Sequence, residues 1–279
     1  SFSFQLQMPL PACLAAEGRA LHPMNAPTAR LSTSADWRVS RLDLTDSTNQ
    51  QLLEAAEKSR AKPGDVLIAD QQSAGRGRQG RQWLSPVGGL YLSTLIEDRE
   101  GWGPIWALVV GLAAHQAIGN ILGREAHELK LKWPNDLMRD DRKLAGILIE
   151  RAGERQPWWL VMGIGINVHV PEQREPDIAY LQDIAPDATA DILAERLLEA
   201  LSALRKAFAQ GGKAMIRKAW LDHAWRLGGP VSCHVDGRKL HGTFRDLDGD
   251  GALLLELADG STRKISGGVV HFGTEQEAG

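Results

Sequence analysis

The sequence is poor in cysteine and in long apolar runs, and each shortage excludes a class of protein. Only two of its 279 residues are cysteines, Cys13 and Cys233. They form neither a metal-ligand spacing nor a disulfide framework, which is typical of a protein of the reducing cytoplasm. No apolar run approaches the ~20 residues that a membrane-spanning helix requires. We therefore expect a cytoplasmic protein that does not contact a membrane.

A large excess of positive charge is absent as well. The chain has 32 lysines and arginines against 35 aspartates and glutamates, a net charge of −3. Proteins that bind nucleic acid over a broad surface usually have a basic balance. The charge therefore argues against general nucleic-acid binding, although it leaves room for a local basic loop.

The first 36 residues lack a sustained hydrophobic period. Pro9 and Pro11 interrupt the only stretch that resembles the apolar core of a signal peptide. Residues 1–36 are thus expected to form an irregular N-terminal extension, with Met24 as an alternative natural start. The stretch is too short and irregular for a helix-turn-helix domain of about three helices, so we expect no specific DNA binding.

The most distinctive stretch is rich in glycine and arginine. Gly75 to Trp83 has the sequence Gly-Arg-Gly-Arg-Gln-Gly-Arg-Gln-Trp. Glycine allows a backbone to approach a ligand closely, and the arginine fork binds carboxylate and phosphate oxygens. The pattern predicts a loop that folds over a small anionic ligand. Three interpretations are open: a dinucleotide-binding loop, a basic nucleic-acid tract and a site that forms an adenylate.

The dinucleotide interpretation fails on the residues that follow the glycines. Gly75, Gly77 and Gly80 fit the G-x-G-x-x-G pattern and follow a predicted strand. However, residues 81–86 cannot open the required helix, and residues 88–96 alternate as a second strand. No acidic residue ends a following strand at the position where the ribose would be held.

Hydrophobic periodicity divides the chain into a large and a small domain. It predicts strands at 39–44, 65–70, 88–96, 129–133, 143–150 and 158–170, and helices from Ser47 and over 104–122, 189–210 and 212–226. After Gly228 the period changes to two, with four short strands at 231–235, 239–247, 252–257 and 262–265. We expect a catalytic domain at 37–228 and a small barrel at 229–279.

Several residues have a structural explanation beside a functional one. Ser47 is suited to cap a helix, Lys132 to be an exposed strand lysine and Asp136 to form a turn. Gly163 and Gly165 lie inside a strand, where glycine costs stability unless something must lie against it.

Five ordered motifs carry a resemblance to a known family. They are Asp46-Ser47-Thr48-Asn49, Gln72 to Trp83, Lys132 to Asp136, Arg142 to Leu148, and Gly163 to Asn167. In this order they resemble the motifs of biotin protein ligases, and most closely those of the bacterial enzymes that biotinylate the carrier subunit of acetyl-CoA carboxylase. The resemblance is strong over residues 40–170 and extends weakly through the barrel to residue 272. The sequence is similar to the form without an N-terminal winged-helix repressor domain.

The resemblance implies a fold, a reaction and a partner. The fold is α/β (α+β): a mixed β-sheet flanked by helices, like that of class II aminoacyl-tRNA synthetases, followed by an SH3-like barrel. The reaction joins biotin to ATP as biotinyl-5′-AMP, accompanied by Mg²⁺, and then transfers biotin to a lysine. The partner is the biotin carboxyl carrier protein of acetyl-CoA carboxylase. A homodimer paired through the sheet edge is one alternative for the oligomeric state.

The resemblance also implies roles for individual residues. The expected biotin-binding residues are Ser47, Thr48, Gln72, Gly75, Arg76, Arg78, Lys143 and Gly146. The expected ATP and adenylate contacts are Arg78, Arg81, Trp83, Lys132, Asn135, Lys143 and Asn167. Lys143 and Arg78 are the expected catalytic residues, and Asp136 is the expected metal ligand.

Three alternatives remain beside a biotin ligase. A lipoate or octanoate ligase would share the architecture but activate a different acid. A nucleic-acid-binding module would place Arg76, Arg78 and Arg81 on phosphates, and its affinity would fall steeply with salt. A biotin-binding protein without catalysis would have no need for Lys143 and Arg78.

Overall fold

The computed structural model describes residues 36–153, 158–235, 238–267 and 270–272. Within these ranges the chain forms three α-helices and twelve strands in two sheets. The predicted N-terminal extension lies almost entirely outside the described residues, as does the turn expected at Asp236-Gly237.

The larger sheet is mixed and has seven strands in the order β1-β2-β3-β7-β6-β5-β4. The strands are β1 (Arg38–Thr45), β2 (Asp65–Gln72), β3 (Leu90–Asp98), β4 (Leu129–Lys132), β5 (Asp136–Arg139), β6 (Arg142–Ala152) and β7 (Trp158–Ile166). Only β1 and β2 pair in parallel, and every other neighbouring pair is antiparallel. The sequence pattern missed β5, because its four residues follow the predicted turn without a clear alternation.

Helices cover both faces of this sheet. The helices are α1 (Thr48–Glu57), α2 (Ile105–Leu122) and α3 (Ala190–Leu221). Successive strand residues belong to different cores: Leu67 packs with the buried face of α1, whereas Val66 and Ile68 pack with α2 and α3. This division follows from the alternation of side chains along a strand.

Helix α2 is the most apolar of the three described helices. Residues Ile105–Glu128 have the length and hydropathy of a membrane span, which contradicts the expectation that no run is long enough. In the structure, 72% of the apolar 18-residue stretch of this helix is buried. A helix that is hydrophobic on all sides is either a core helix or a membrane span, and the burial of this one between the sheet and α3 accounts for its composition.

Helix α3 contains the predicted break. Gly212 has φ 68° and ψ −171°, so the helical geometry is interrupted there and then resumes. A positive φ is readily adopted only by glycine. The second helical part ends at Leu221, five residues before its predicted end, and the chain then turns towards β4, where Trp225 N donates to Leu131 O (2.8 Å).

The smaller sheet has five strands in the order β11-β10-β9-β8-β12. They are β8 (Pro230–Val235), β9 (Arg238–Leu247), β10 (Leu253–Glu256), β11 (Thr262–Ile265) and β12 (Val270–Phe272). The sequence predicted four of them, and the three-residue β12 is too short to show a period. Its core residues, such as Phe244 and Leu253, belong to the same buried cluster as α2. The boundary at residues 228–229 stays a prediction, with β8 beginning at Pro230.

Candidate active site

A cavity of about 210 Å³ opens between the start of α1, the glycine–arginine loop (Gly75–Trp83) and the strands β4 to β7. Most of the predicted site residues line it: Ser47, Thr48, Gln72, Arg76, Arg78, Arg81, Trp83, Lys132, Asn135, Asp136, Lys143 and Gly146. Gly75 and Asn167 are not among the lining residues. The fold therefore brings together these residues from four separate stretches of sequence, 47–48, 72–83, 132–136 and 143–146.

One end of the cavity is neutral and rich in hydrogen-bonding groups. Ser47 caps α1, because its Oγ accepts from Gln50 N at 3.5 Å. Thr48 donates to Gln72 Oε1 from both its backbone N (2.8 Å) and its Oγ1 (3.2 Å). Gln72 Nε2 donates to Ser85 Oγ (2.8 Å). The capping explanation of Ser47 is thus confirmed, and the amide of Gln72 has a fixed orientation.

Behind this end lies a buried polar cluster that the sequence pattern did not assign. Ser93 is fully buried and bonds Thr48 Oγ1 (2.7 Å) and Asn49 Oδ1 (2.6 Å). Asn49 Nδ2 in turn donates a hydrogen bond to Glu150 Oε2 (3.0 Å). Asn49 belongs to the Asp-Ser-Thr-Asn motif, which was the available signal, whereas nothing in the local sequence marks Ser93 or Glu150.

The glycine–arginine loop forms a compact hairpin. Trp83 N donates to Gly75 O (2.9 Å), and Gly77 N donates to Arg81 O (2.7 Å). A Cβ on Gly75 would lie only 2.3 Å from Trp83 O, so a larger residue cannot occupy this position without moving the hairpin. Gly75 thereby shapes the loop although it does not line the cavity.

The glycines inside the strands make room for two specific side chains. A Cβ on Gly163 would lie 2.1 Å from Asn49 Oδ1. Gly146 and Gly165 are opposite each other on β6 and β7, and a Cβ there would approach the Trp83 ring to 2.8 and 2.4 Å. The indole of Trp83 therefore rests on a floor of two glycines. Its Nε1 is buried and has no hydrogen-bond partner among the described residues.

The other end of the cavity is strongly cationic. The cavity as a whole is lined by five lysines and arginines against one carboxylate: Arg76, Arg78, Arg81, Lys132 and Lys143 against Asp136. Arg76 is paired with Glu150, outside the lining, so the other four cations and Asp136 set the charge of this end. Burial lowers the pKa of Arg78 and of Lys132, and the charge of Asp136 opposes both shifts. Concentrating partly buried cations in this way favours a ligand with several negative charges.

Lys132 is held by aromatic rings from the segment that follows α3 and from the barrel. Its Nζ lies 5.0 Å from the Trp225 ring centroid and 5.9 Å from that of Phe272, within the range of cation–π attraction. Val270, on the same barrel strand as Phe272, lines the cavity. The barrel thus contributes directly to the cationic end.

Asp136 and Lys143 form an ion pair at the centre of the cationic end. Lys143 Nζ lies 2.7 Å from Asp136 Oδ1, but the contact lacks hydrogen-bond geometry, so the buried Oδ1 keeps unused acceptor capacity. No group of three or more potential metal ligands occurs in the described part of the chain. The residues therefore fit a hard cation only as one carboxylate ligand beside a substrate's phosphates.

The two asparagines expected to contact the adenylate have different surroundings. Asn135 lines the cavity, where its Oδ1 accepts from Arg78 Nη1 (3.2 Å) and its Nδ2 donates to Ile147 O (2.5 Å). Asn167 directly follows β7, beside β6, and donates from Nδ2 to Lys143 O (3.3 Å). Asn167 thus supports the backbone of Lys143, and its contact with the adenylate stays a prediction.

Comparisons with known proteins agree with this arrangement. Residues 42–167 match the Biotin/lipoate A/B protein ligase family, and residues 227–273 match the Biotin protein ligase C terminal domain. The chain is 36% identical to the bifunctional ligase/repressor BirA of Escherichia coli, covering 83% of this chain and 73% of that protein. It is 34% identical to the biotin–[acetyl-CoA-carboxylase] ligase of Mycobacterium tuberculosis, covering 87% and 92%.

Solved structures that resemble this one include members of the same family. It matches the biotin protein ligase from Aquifex aeolicus in complex with biotin and ATP with a TM-score of 0.72 at 28% identity, covering 84% of this chain and 99% of that one. The expected mixed α/β fold with a C-terminal SH3-like barrel is confirmed. The chain therefore belongs to the biotin/lipoate A/B protein ligase family, within which it is a biotin protein ligase.

Proposed function

We propose that this chain joins biotin to ATP as biotinyl-5′-AMP with release of pyrophosphate. It then transfers biotin to a lysine of the biotin carboxyl carrier domain of acetyl-CoA carboxylase, with release of AMP. The observation that carries the proposal is one cavity that combines neutral hydrogen-bonding groups with five cationic side chains against a single lining carboxylate. Such a cavity suits a neutral ring system joined by a chain to a carboxylate and a triphosphate.

The neutral end would bind the head group of biotin. A ureido ring offers two N–H donors and one carbonyl acceptor. Ser47 and Thr48 hydroxyls and the Gln72 amide supply both donors and acceptors, and all three residues line the cavity. Their own hydrogen bonds hold them in place before the ligand arrives, which lowers the entropy lost on binding.

The cationic end would carry out the adenylation. A biotin carboxylate oxygen attacks the α-phosphorus of ATP, and the bond to the pyrophosphate oxygen breaks. Lys143 and Arg78 would stabilise the negative charge that develops on the phosphoryl oxygens, because preorganised cations act strongly in a site shielded from water. Arg81, Lys132 and Asn135 would hold the remaining phosphate oxygens. Magnesium, when bound with ATP, would be held by Asp136 and would neutralise phosphate charge.

The same cations would assist the transfer. The amine of the acceptor lysine attacks the acyl carbon of biotinyl-5′-AMP, and the bond to the AMP phosphate oxygen breaks. Lys143 would stabilise the oxyanion during this attack. The glycine–arginine loop, with Trp83 lying across Gly146 and Gly165, would keep water from the mixed anhydride.

We place the protein in the cytoplasm, together with its carrier protein and ATP. Both steps take place in the cavity of a single chain, so they require neither a second copy nor DNA. A homodimer is compatible with them.

The test is a two-stage assay with the purified chain. Pyrophosphate release is measured with ATP, Mg²⁺ and either biotin or lipoic acid, and an acceptor domain is then added and analysed by mass spectrometry. We expect release with biotin alone, followed by one biotin on the acceptor lysine. Release with lipoic acid alone would assign the chain to the lipoate-activating members of the family. Release with neither acid would contradict the proposal.

A further inference from the structure

A line of hydrogen bonds runs from the neutral end of the cavity to the glycine–arginine loop. Thr48 Oγ1 bonds Ser93 Oγ (2.7 Å), and Ser93 donates to Asn49 Oδ1 (2.6 Å). Asn49 Nδ2 donates to Glu150 Oε2 (3.0 Å), and Arg76 Nη2 donates to Glu150 Oε1 (2.6 Å). We name this line, from Thr48 to Arg76, the polar relay. Its ends are a predicted head-group contact and a loop arginine.

The middle of the polar relay is shielded from water. Thr48, Asn49 and Ser93 are at most 4% exposed, so their polar groups depend on one another for partners. Because the Ser93 hydroxyl donates its only proton to Asn49, the single proton of Thr48 Oγ1 is shared between Ser93 Oγ (2.7 Å) and Gln72 Oε1 (3.2 Å). A change in the partner of any one group therefore alters what its neighbours can bond.

Glu150 is the member that connects this buried part to the loop. One carboxylate oxygen faces the buried Asn49 and the other faces Arg76, whose side chain is 41% exposed. Arg76 is held from a second side, since its Nη1 donates to Gln50 Oε1 (2.5 Å) on α1. Arg76 is thereby fixed to strand β6 through Glu150 and to helix α1 through Gln50. Of these two partners, Glu150 is the one with a negative charge.

We propose that Glu150 is a positioning residue that couples the binding of the biotin head group to closure of the glycine–arginine loop. A ligand that bonds Thr48 acts on one end of the polar relay, and the closed loop depends on the other end. Coupling of this kind is reciprocal, so loosening Arg76 weakens head-group binding. The inference rests on the proposed function and goes beyond it by assigning a role to a residue that does not line the cavity.

Glu150→Gln tests the coupling, because it keeps the shape of the side chain and removes its charge. We expect the biotin Kd, measured by calorimetry, to rise about tenfold. Trypsin should cut the loop at Arg78 and Arg81 faster than in the parent protein, and biotin should protect the loop less. In a background carrying Arg76→Gln, the second change Glu150→Gln should raise the Kd little further, since the ion pair is already gone and the glutamine oxygen can still accept from Asn49 Nδ2.

Glu97→Gln is the matched control. Glu97 is on β3, has nearly the same side-chain exposure (22% against 20%) and also pairs with an arginine at 2.6 Å. Like Glu150 it does not line the cavity, but unlike Glu150 it has no bond to the polar relay. The control should bind biotin as the parent does. If Glu150→Gln does not fold, Glu150→Asp, whose shorter side chain keeps the charge but cannot reach both Asn49 and Arg76, should reproduce the rise in Kd.

The outcomes separate this inference from the proposed function. A Kd and a cleavage rate equal to those of the parent in both Glu150→Gln and Arg76→Gln would overturn the polar relay and leave biotin ligation intact. An equal loss of biotin affinity in Glu150→Gln and in the Glu97→Gln control would also overturn it, since the loss would then not depend on the contact with Arg76. Absence of biotin binding in the parent protein would instead overturn the proposed function.

Discussion

Replacing Lys143 with alanine should separate catalysis from stability in this cavity. The Lys143 side chain is 32% exposed and forms one ion pair, 2.7 Å from Asp136. A partly exposed pair of this kind contributes ~0–1 kcal/mol to the free energy of unfolding. Arg78 and Lys132 also act on the charge of Asp136, so the carboxylate keeps cationic neighbours when Lys143 is removed. The expected fall in Tm is therefore at most about 4 °C.

The loss of catalysis should be much larger. Removing one preorganised stabiliser of transition-state charge costs about 10²–10³ in kcat, or ~2.7–4 kcal/mol. We expect a loss of this size in biotin-dependent pyrophosphate release by Lys143→Ala, while the variant unfolds almost as the parent does.

The assay compares single-turnover adenylation with thermal unfolding of the same preparations. Lys218→Ala is the control, because Lys218 pairs with Asp222 at 3.0 Å on α3 and does not line the cavity. Its adenylation rate should equal that of the parent. A rate for Lys143→Ala within about threefold of the parent, far below the effect of losing such a stabiliser, would remove Lys143 from the chemistry.

Three further changes test other parts of the structure. Arg78→Gly should loosen the loop, so that biotinyl-5′-AMP escapes and modifies bystander lysines; retention of the intermediate equal to the parent's would count against a closing loop. Gly165→Ala places a Cβ 2.4 Å from Trp83 Nε1, so it should displace the indole, an expected adenylate contact, and raise the KM for ATP about tenfold, as a 1.4 kcal/mol loss would; an unchanged KM would show that the glycine floor is not needed. Burial lowers the pKa of His115 to about 4 from 6.5. The unfolded chain then binds a proton that the folded chain excludes, so up to about 3 kcal/mol of stability present above pH 6.5 is lost as the pH falls towards 4. Urea unfolding of His115→Gln should show a flatter pH dependence over this range, and an equal slope would contradict the assignment.

The residue types that line the cavity could be predicted from the sequence because they are carried by short contiguous motifs. The glycine–arginine loop, the Lys-Trp-Pro-Asn-Asp run and the glycines of β6 and β7 each combine residue types whose properties are local. These motifs indicated the family. Twelve of the site residues that they predicted line one cavity. Periodicity likewise predicted the long strands, the helices and the break at Gly212, since hydrophobic spacing directly reflects which face of an element is buried.

Pairing between distant strands decided the rest. Gly146 and Gly165 became a floor for Trp83 only because β6 and β7 pair in the register that places them opposite each other. Glu150 is 74 residues from Arg76 along the chain and acquires its partner only when the sheet forms. The short strands β5 and β12 have too few residues for a visible period and exist because neighbouring strands supply their hydrogen bonds. By itself, the sequence determined which chemical groups the site contains. Only the tertiary structure decided which of those groups touch, because a contact depends on long-range register that no local pattern records.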